Sequence, residues 1–143
     1  MECYFGGIKK KKESICNFLI ADLGFLHRNV VKDTDELVVE FLSLLYLLEF
    51  ITSNSALFRE VSCINIYGDA KVSRYLRKKN VPLKIHPYKE SVMVHINMNP
   101  ELKFNFLNVS KKVNIAFFAV DYISVDPKTV QYVKTIMEAI KNG

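Results

Sequence analysis

Glycine and proline are sparse, five and four in a chain of 143 residues, and no internal repeat or low-complexity linker divides the sequence. With half of its residues hydrophobic, the chain is long enough to fill one core and short of what two would need, so residues 1–143 read as a single domain. The three cysteines, Cys3, Cys16 and Cys63, are an odd number without C-x-x-C spacing. Neither a disulfide scaffold nor a structural zinc site is indicated, and three buried, reduced thiols are expected. No apolar run reaches membrane-spanning length; the longest, Glu36 to Ile51, carries three glutamates. A secretory leader, with its charged start, apolar stretch and small-residue cleavage site, is missing as well. A cytoplasmic location without a membrane partner is the expectation. The chain also lacks a glycine-rich phosphate loop, a G-x-S-x-G elbow and a catalytic-cysteine signature. His27, His86 and His95 stand far apart without ligand spacing, which favours surface or core roles over metal binding.

What is present is a moderate positive charge, +5, unevenly spread. Lys9, Lys10, Lys11 and Lys12 form one cluster, and Arg74, Arg77, Lys78 and Lys79 another, together eight of the twenty basic residues. Such clusters bind phosphate backbones with an affinity that falls as salt rises. They also serve as solvated surface that keeps an apolar protein in solution.

Along the chain, "ECYFGGI", "SICNFLIADLG" and "LHRNVV" read as three strands of an antiparallel meander, with turns at the lysine run and near Gly24. "DTDELVVEFLSLLYLLEFI" reads as a helix begun by Asp33 and Glu36 in capping-box relation. Its Glu36, Glu40 and Ser43 recur at helical spacing, which predicts one narrow polar stripe escaping burial while a sheet covers the rest. A strand from about Val61 to Tyr67, a turn at Gly68 and Asp69, and a short helix "KVSRYLRKK" follow. "SVMVHINM" and "LKFNFLNV" look like a hairpin around Asn99 and Pro100. "VNIAFFAVDYI" is apolar on both faces, as a central strand would be, and Asp126 with Pro127 caps a closing helix. In a second topology, "VPLKI" (81–85) returns as a strand parallel to the one ending near Asp69.

The element order resembles the ribonuclease H-like fold: α/β with α+β character, a mixed sheet in which an antiparallel meander is followed by parallel strands, helices on the faces, and here an extra β-hairpin. "INIYGDAKVSRYLRK" looks like that family's fourth strand and the helix behind it, "TDELVVEFLSLLYLLE" like its first helix, and "CYFGG" like its first strand, which usually ends in Asp-Gly. The resemblance implies a carboxylate cluster holding two magnesium ions, one to activate water and one to steady the leaving oxygen of a phosphodiester. Carried over residue by residue, it assigns Glu36 and Asp69 as metal ligands, with Asp121 a further candidate and Asp126 the nearest match for the last acid. The position of the bridging aspartate is occupied by Gly6. No cofactor is therefore expected, or magnesium if the chain is catalytic.

Each acid has a plainer role. Asp69 suits a helix cap and Glu36 a first helical turn, where the helix dipole favours a carboxylate. Asp121 in an apolar run must be paired, protonated or at a strand end. Tyr4, Tyr67, Tyr75 and Tyr88 could stack on bases, although aromatic residues in strands more often fill the core. Three functions follow as expectations. The first is a degenerate ribonuclease H-like protein that binds nucleic acid, or scaffolds a nucleic-acid enzyme, through the two basic clusters. The second is a magnesium nuclease whose centre is rebuilt from Glu36, Asp69 and Asp121 or Asp126. The third is an interaction module or homodimer using the edge of the 91–109 hairpin.

Overall fold

A computed structural model describes residues 1–32 and 35–116 of the chain. Strands β1 (Glu2–Lys9), β2 (Ser14–Ile20) and β3 (Phe25–Val31) form the expected meander; β2 ends at Ile20, and a 3-10 turn over Ala21–Leu23 closes on Gly24 at φ 61°. Helix α1 (Glu36–Ser53), strand β4 (Cys63–Gly68), helices α2 (Ala70–Arg77) and α3 (His86–Met98) and strand β5 (Lys103–Asn108) follow. The sheet order is β3-β2-β1-β4-β5. β1 is antiparallel to β2 and parallel to β4, and β5 is parallel to β4.

Helix α1 is apolar on almost every side and lies across β1 and β2, burying Val38, Phe41, Leu44, Leu48 and Ile51 against Cys3, Phe5, Phe18 and Ile20. Its cap is Asp35, whose Oδ1 accepts from the Val38 N–H at 3.1 Å, so the start lies two residues after the expected Asp33, which is outside the described residues. Of the polar stripe expected to reach solvent, Glu36 does, but Glu40 is 3% exposed and Ser43 fully buried. Ser43 satisfies its hydroxyl on the Val39 carbonyl of the preceding turn, which lets it sit in the core.

The expected hairpin is absent. "SVMVHINM" lies in α3, and its β-branched alternation, V-M-V-H-I, imitates a strand. The decisive signals are Pro87 in the first turn and the row Ile85, Tyr88, Val92, Ile96, spaced three or four apart and packed on the core beside α1. "LKFNFLNV" then supplies β5, which returns beside β4, with Ile64 opposite Phe104 and Ile66 opposite Phe106, as an edge strand among the described residues. "VPLKI" is a turn leading into α3, which removes the second topology. "VNIAFFAVDYI" fails as a strand where it is described, since Ile115 and Ala116 are helical. Its remainder, and the closing helix expected from Asp126, lie outside the described residues. Cys3 and Cys16 are buried and Cys63 partly so, and all three are thiols outside any disulfide. Among the described residues no helix is long and apolar enough to cross a membrane.

Candidate functional site

The carboxyl half of β4 lies beside the first half of β1, which runs on past it to Lys9. The paired register ends at Tyr4 with Tyr67, two residues before Gly6 on one strand and two before Asp69 on the other. Gly7 is where α1 comes closest: a Cβ there would stand 2.4 Å from Val39 Cγ1 and 3.0 Å from the Val39 carbonyl group. The next residue along α1 is Glu40. The strand end is tied down further by Asn17, which donates to the Gly6 carbonyl at 3.2 Å, and Asn114, which donates to the Phe5 carbonyl at 2.8 Å. Both amides are buried, which makes these bonds costly to lose.

Asp69 caps α2 as the sequence suggested, its Oδ1 accepting from the Lys71 N–H at 2.8 Å. Glu36 is largely exposed in the first turn of α1 and meets Lys111 Nζ at 2.5 Å. That contact, followed by the fields of Lys71 and Lys9, holds its carboxyl below the usual range despite some desolvation. Glu40 is the acid that faces inward. Burial pushes it up to about 8, against the pull of Lys111 and of the Gly7 N–H and with reinforcement from the charges of Asp69 and Glu36. Neither of its oxygens completes a hydrogen bond among the described residues, and Lys111 Nζ stands 3.8 Å from Oε1. For Lys111 itself, desolvation would lower the ammonium pKa, but the Glu36 hydrogen bond and the charges of Glu40, Glu36 and Asp69 prevail and raise it. Three carboxylates and one lysine therefore share an electrostatic neighbourhood beside the carboxyl end of β4. No group of three His, Cys, Asp or Glu side chains among the described residues is arranged to hold a metal ion. Asp121 and Asp126 are outside those residues.

The basic residues frame this neighbourhood. Lys9 closes β1 and Lys10, Lys11 and Lys12 follow in the exposed turn to β2. On α2, Lys71 and Arg74 are exposed three residues apart, and Lys78, the extended residue that ends the helix, is exposed as well. Arg74 and Lys78 both lie over the Tyr75 ring, at 5.5 and 5.6 Å from its centre. Arg77 is turned aside, its Nε donating to the Ser73 carbonyl, and Lys79 is exposed beyond the helix end. Of the other tyrosines, Tyr4 is buried and stacks on Tyr67 with ring centres 4.7 Å apart, and Tyr88 packs on the core. The histidines are spread apart: His27 stacks on Phe18, His86 pairs with Glu90, and His95 bonds Thr52.

Glu40, Lys71 and Lys111 are the members of this site that the sequence reading did not single out. For Glu40 a signal existed: a carboxylate one turn after Glu36 in a helix buried nearly all round must face something other than water. Lys111 gave none, because only the path of the chain after β5 brings it here.

No protein-family model matches the chain, and no curated protein matches it in sequence. Solved structures do resemble it. The ribonuclease H1 of Halobacterium salinarum superposes with a TM-score of 0.59 over 80% of this chain and 89% of its own, at 13% identity. LC11 ribonuclease H1, solved in complex with an RNA/DNA hybrid, gives 0.60 over 79% and 87% at 14% identity. The N-terminal ribonuclease H domain of a Mycobacterium tuberculosis protein gives 0.58 over 81% and 92% at 12% identity. With the strand order and directions above, these likenesses establish the ribonuclease H-like fold for this chain.

Proposed function

We propose that this chain binds nucleic acid through its phosphate backbone, acting as a binding or scaffolding protein on a ribonuclease H-like fold without two-metal hydrolysis. The observation that carries this reading is the exposed cations that follow two strands of one sheet: Lys9 to Lys12 at and after the end of β1, and Lys71 and Arg74 on α2 with Lys78 just past it, behind β4. Lys9 and Lys71 both lie near enough to Glu36 to act on it, so the two basic regions meet at the site instead of lying on unrelated surfaces. One of the solved structures sharing the fold holds an RNA/DNA hybrid, which makes a duplex backbone the natural first ligand to try. Within β1, Gly6 provides no side chain where the resemblance places a bridging carboxylate.

Contacts of this kind position a backbone and carry little sequence information. In a gel-shift titration at two salt concentrations, RNA, DNA and hybrid duplexes should give a complex that weakens steeply as salt rises. Changing Lys9, Lys10, Lys11 and Lys12 together to alanine should weaken it about tenfold or more. The salt slope should fall by about one for each lysine that touched phosphate, with sequence preference unchanged. Lys71→Ala with Arg74→Ala should act in the same direction. A complex indifferent to salt, or no complex with any of the three, would remove the reading.

A further inference from the structure

The fold resemblance implies a pair of divalent ions beside the end of β4, and the described residues do not fit them. Two ions need a shared carboxylate between them, and at Gly6 there is none. An ammonium group already stands among the remaining acids. Lys111 belongs to the segment after β5, and that segment is fixed to both strands of the site. The Val109 N–H donates to the Gly68 carbonyl at 2.9 Å, and the buried Asn114 donates to the Phe5 carbonyl at 2.8 Å. Between these anchors the Val113 and Asn114 N–H groups close a turn on Ser110. The lysine is thus held over the strand ends by a segment anchored on both sides, not left to swing from a loose loop.

We propose that the Lys111 ammonium is the resident cation of this site, standing against Glu36, Glu40 and Asp69 in place of a divalent ion and making the folded chain independent of magnesium. The geometry supports the exchange: Nζ is 2.5 Å from Glu36 Oε1 and 3.8 Å from Glu40 Oε1, and Asp69 is close enough to act on it. A buried carboxylate such as Glu40 needs a proton or a positive charge beside it. Below about pH 8 Glu40 keeps its proton, and Lys111 offers the charge once that proton leaves, from a covalently tethered source whose local concentration does not vary. It also opposes a divalent ion twice, by repulsion and by occupying the Glu36 oxygen that such an ion would need. The assignment rests on the absence of two-metal hydrolysis proposed above and does not depend on the nucleic acid that the lysines bind.

The test compares wild-type protein with Lys111→Ala and Lys111→Met, the latter keeping an apolar stem in case the shorter side chain disturbs folding. Thermal melting is followed in EDTA and in manganese chloride, and bound Mn2+ is counted by the loss of the free-ion paramagnetic resonance signal. Wild type should melt at the same temperature in both and bind no Mn2+ at this site. The variants should melt lower in EDTA. At Mn2+ about tenfold above the dissociation constant they should recover about 5 °C. Adding Glu40→Gln to either variant should abolish that recovery. Mn2+ binding to wild type that Glu40→Gln removes, or variants that take up no Mn2+, would overturn the assignment. A salt-sensitive nucleic-acid complex surviving such a result would leave the binding function intact, and loss of that complex would leave the lysine assignment standing.

Discussion

Gly7→Ala is expected to destabilise the fold by roughly 3 kcal/mol, seen as a melting temperature lower by about 10 °C. The added methyl group would stand 2.4 Å from Val39 Cγ1, inside any real carbon contact, and 3.0 Å from the backbone carbon and oxygen of the same residue. A side chain could turn away, but the backbone of α1 cannot move without lifting its apolar face from β1 and β2. Val39→Ala in the same molecule should restore part of the loss, leaving the backbone clash, and the pair should therefore be strongly non-additive. A contrast is available at Gly24, where nothing lies within 4 Å and only the φ of 61° penalises a side chain. There the cost of Gly24→Ala should be about 1 kcal/mol. Unchanged melting of Gly7→Ala would mean that α1 does not approach β1 as described, and with it the placement of Glu40 would fail.

The second large effect is a dependence on pH. Burial pushes Glu40 up to about 8, whereas an exposed glutamate has 4.5, so the folded chain holds this proton across an interval in which the unfolded chain has released it. Stability from that proton is complete below the unfolded value and disappears as pH rises through about 8. From about pH 6 to about pH 9 the loss is on the order of 2 kcal/mol. The groups facing Glu40 do not cancel it in this window. Glu36 is shifted down, so its contribution changes at acid pH, and the shift of Lys111 is upward, so its contribution changes in strong base. Glu40→Gln stays neutral throughout. Melting temperatures of wild type and Glu40→Gln, measured side by side over this range, should diverge steadily, with the variant the more stable at alkaline pH. Parallel curves would show that Glu40 is not buried as an acid.

The meander, α1 and the β4–α2 junction were legible in the sequence because local signals and burial agree there. In β4, buried Ile64 and Ile66 alternate with partly exposed Cys63, Asn65 and Tyr67; the strand stops at Gly68, and Asp69 behind it caps α2. After α2 the strand of "LKFNFLNV" was legible as well, but "SVMVHINM" reads wrongly because local pattern and tertiary packing conflict. Val92, Val94 and Ile96 alternate like a strand, yet the row from Ile85 to Ile96 is what meets α1. The site was half legible. Asp69 could be placed from its neighbours alone, and the adjacency of β1 to β4, expected from the resemblance, is realised in the register of Tyr4 with Tyr67. Glu40 was hidden by the assumption that acids on a helix face water. Lys111 depends on contacts to residues far back in the chain, Gly68 and Phe5, for which sequence spacing holds no information.

The most direct test of a binding protein without two-metal hydrolysis is an incubation with end-labelled RNA/DNA hybrid, in magnesium or in EDTA, resolved once on a native gel and once on a denaturing gel. The expected result is a salt-sensitive complex that forms in both conditions, with both strands intact. Magnesium-dependent cleavage that Asp69→Asn abolishes would contradict it.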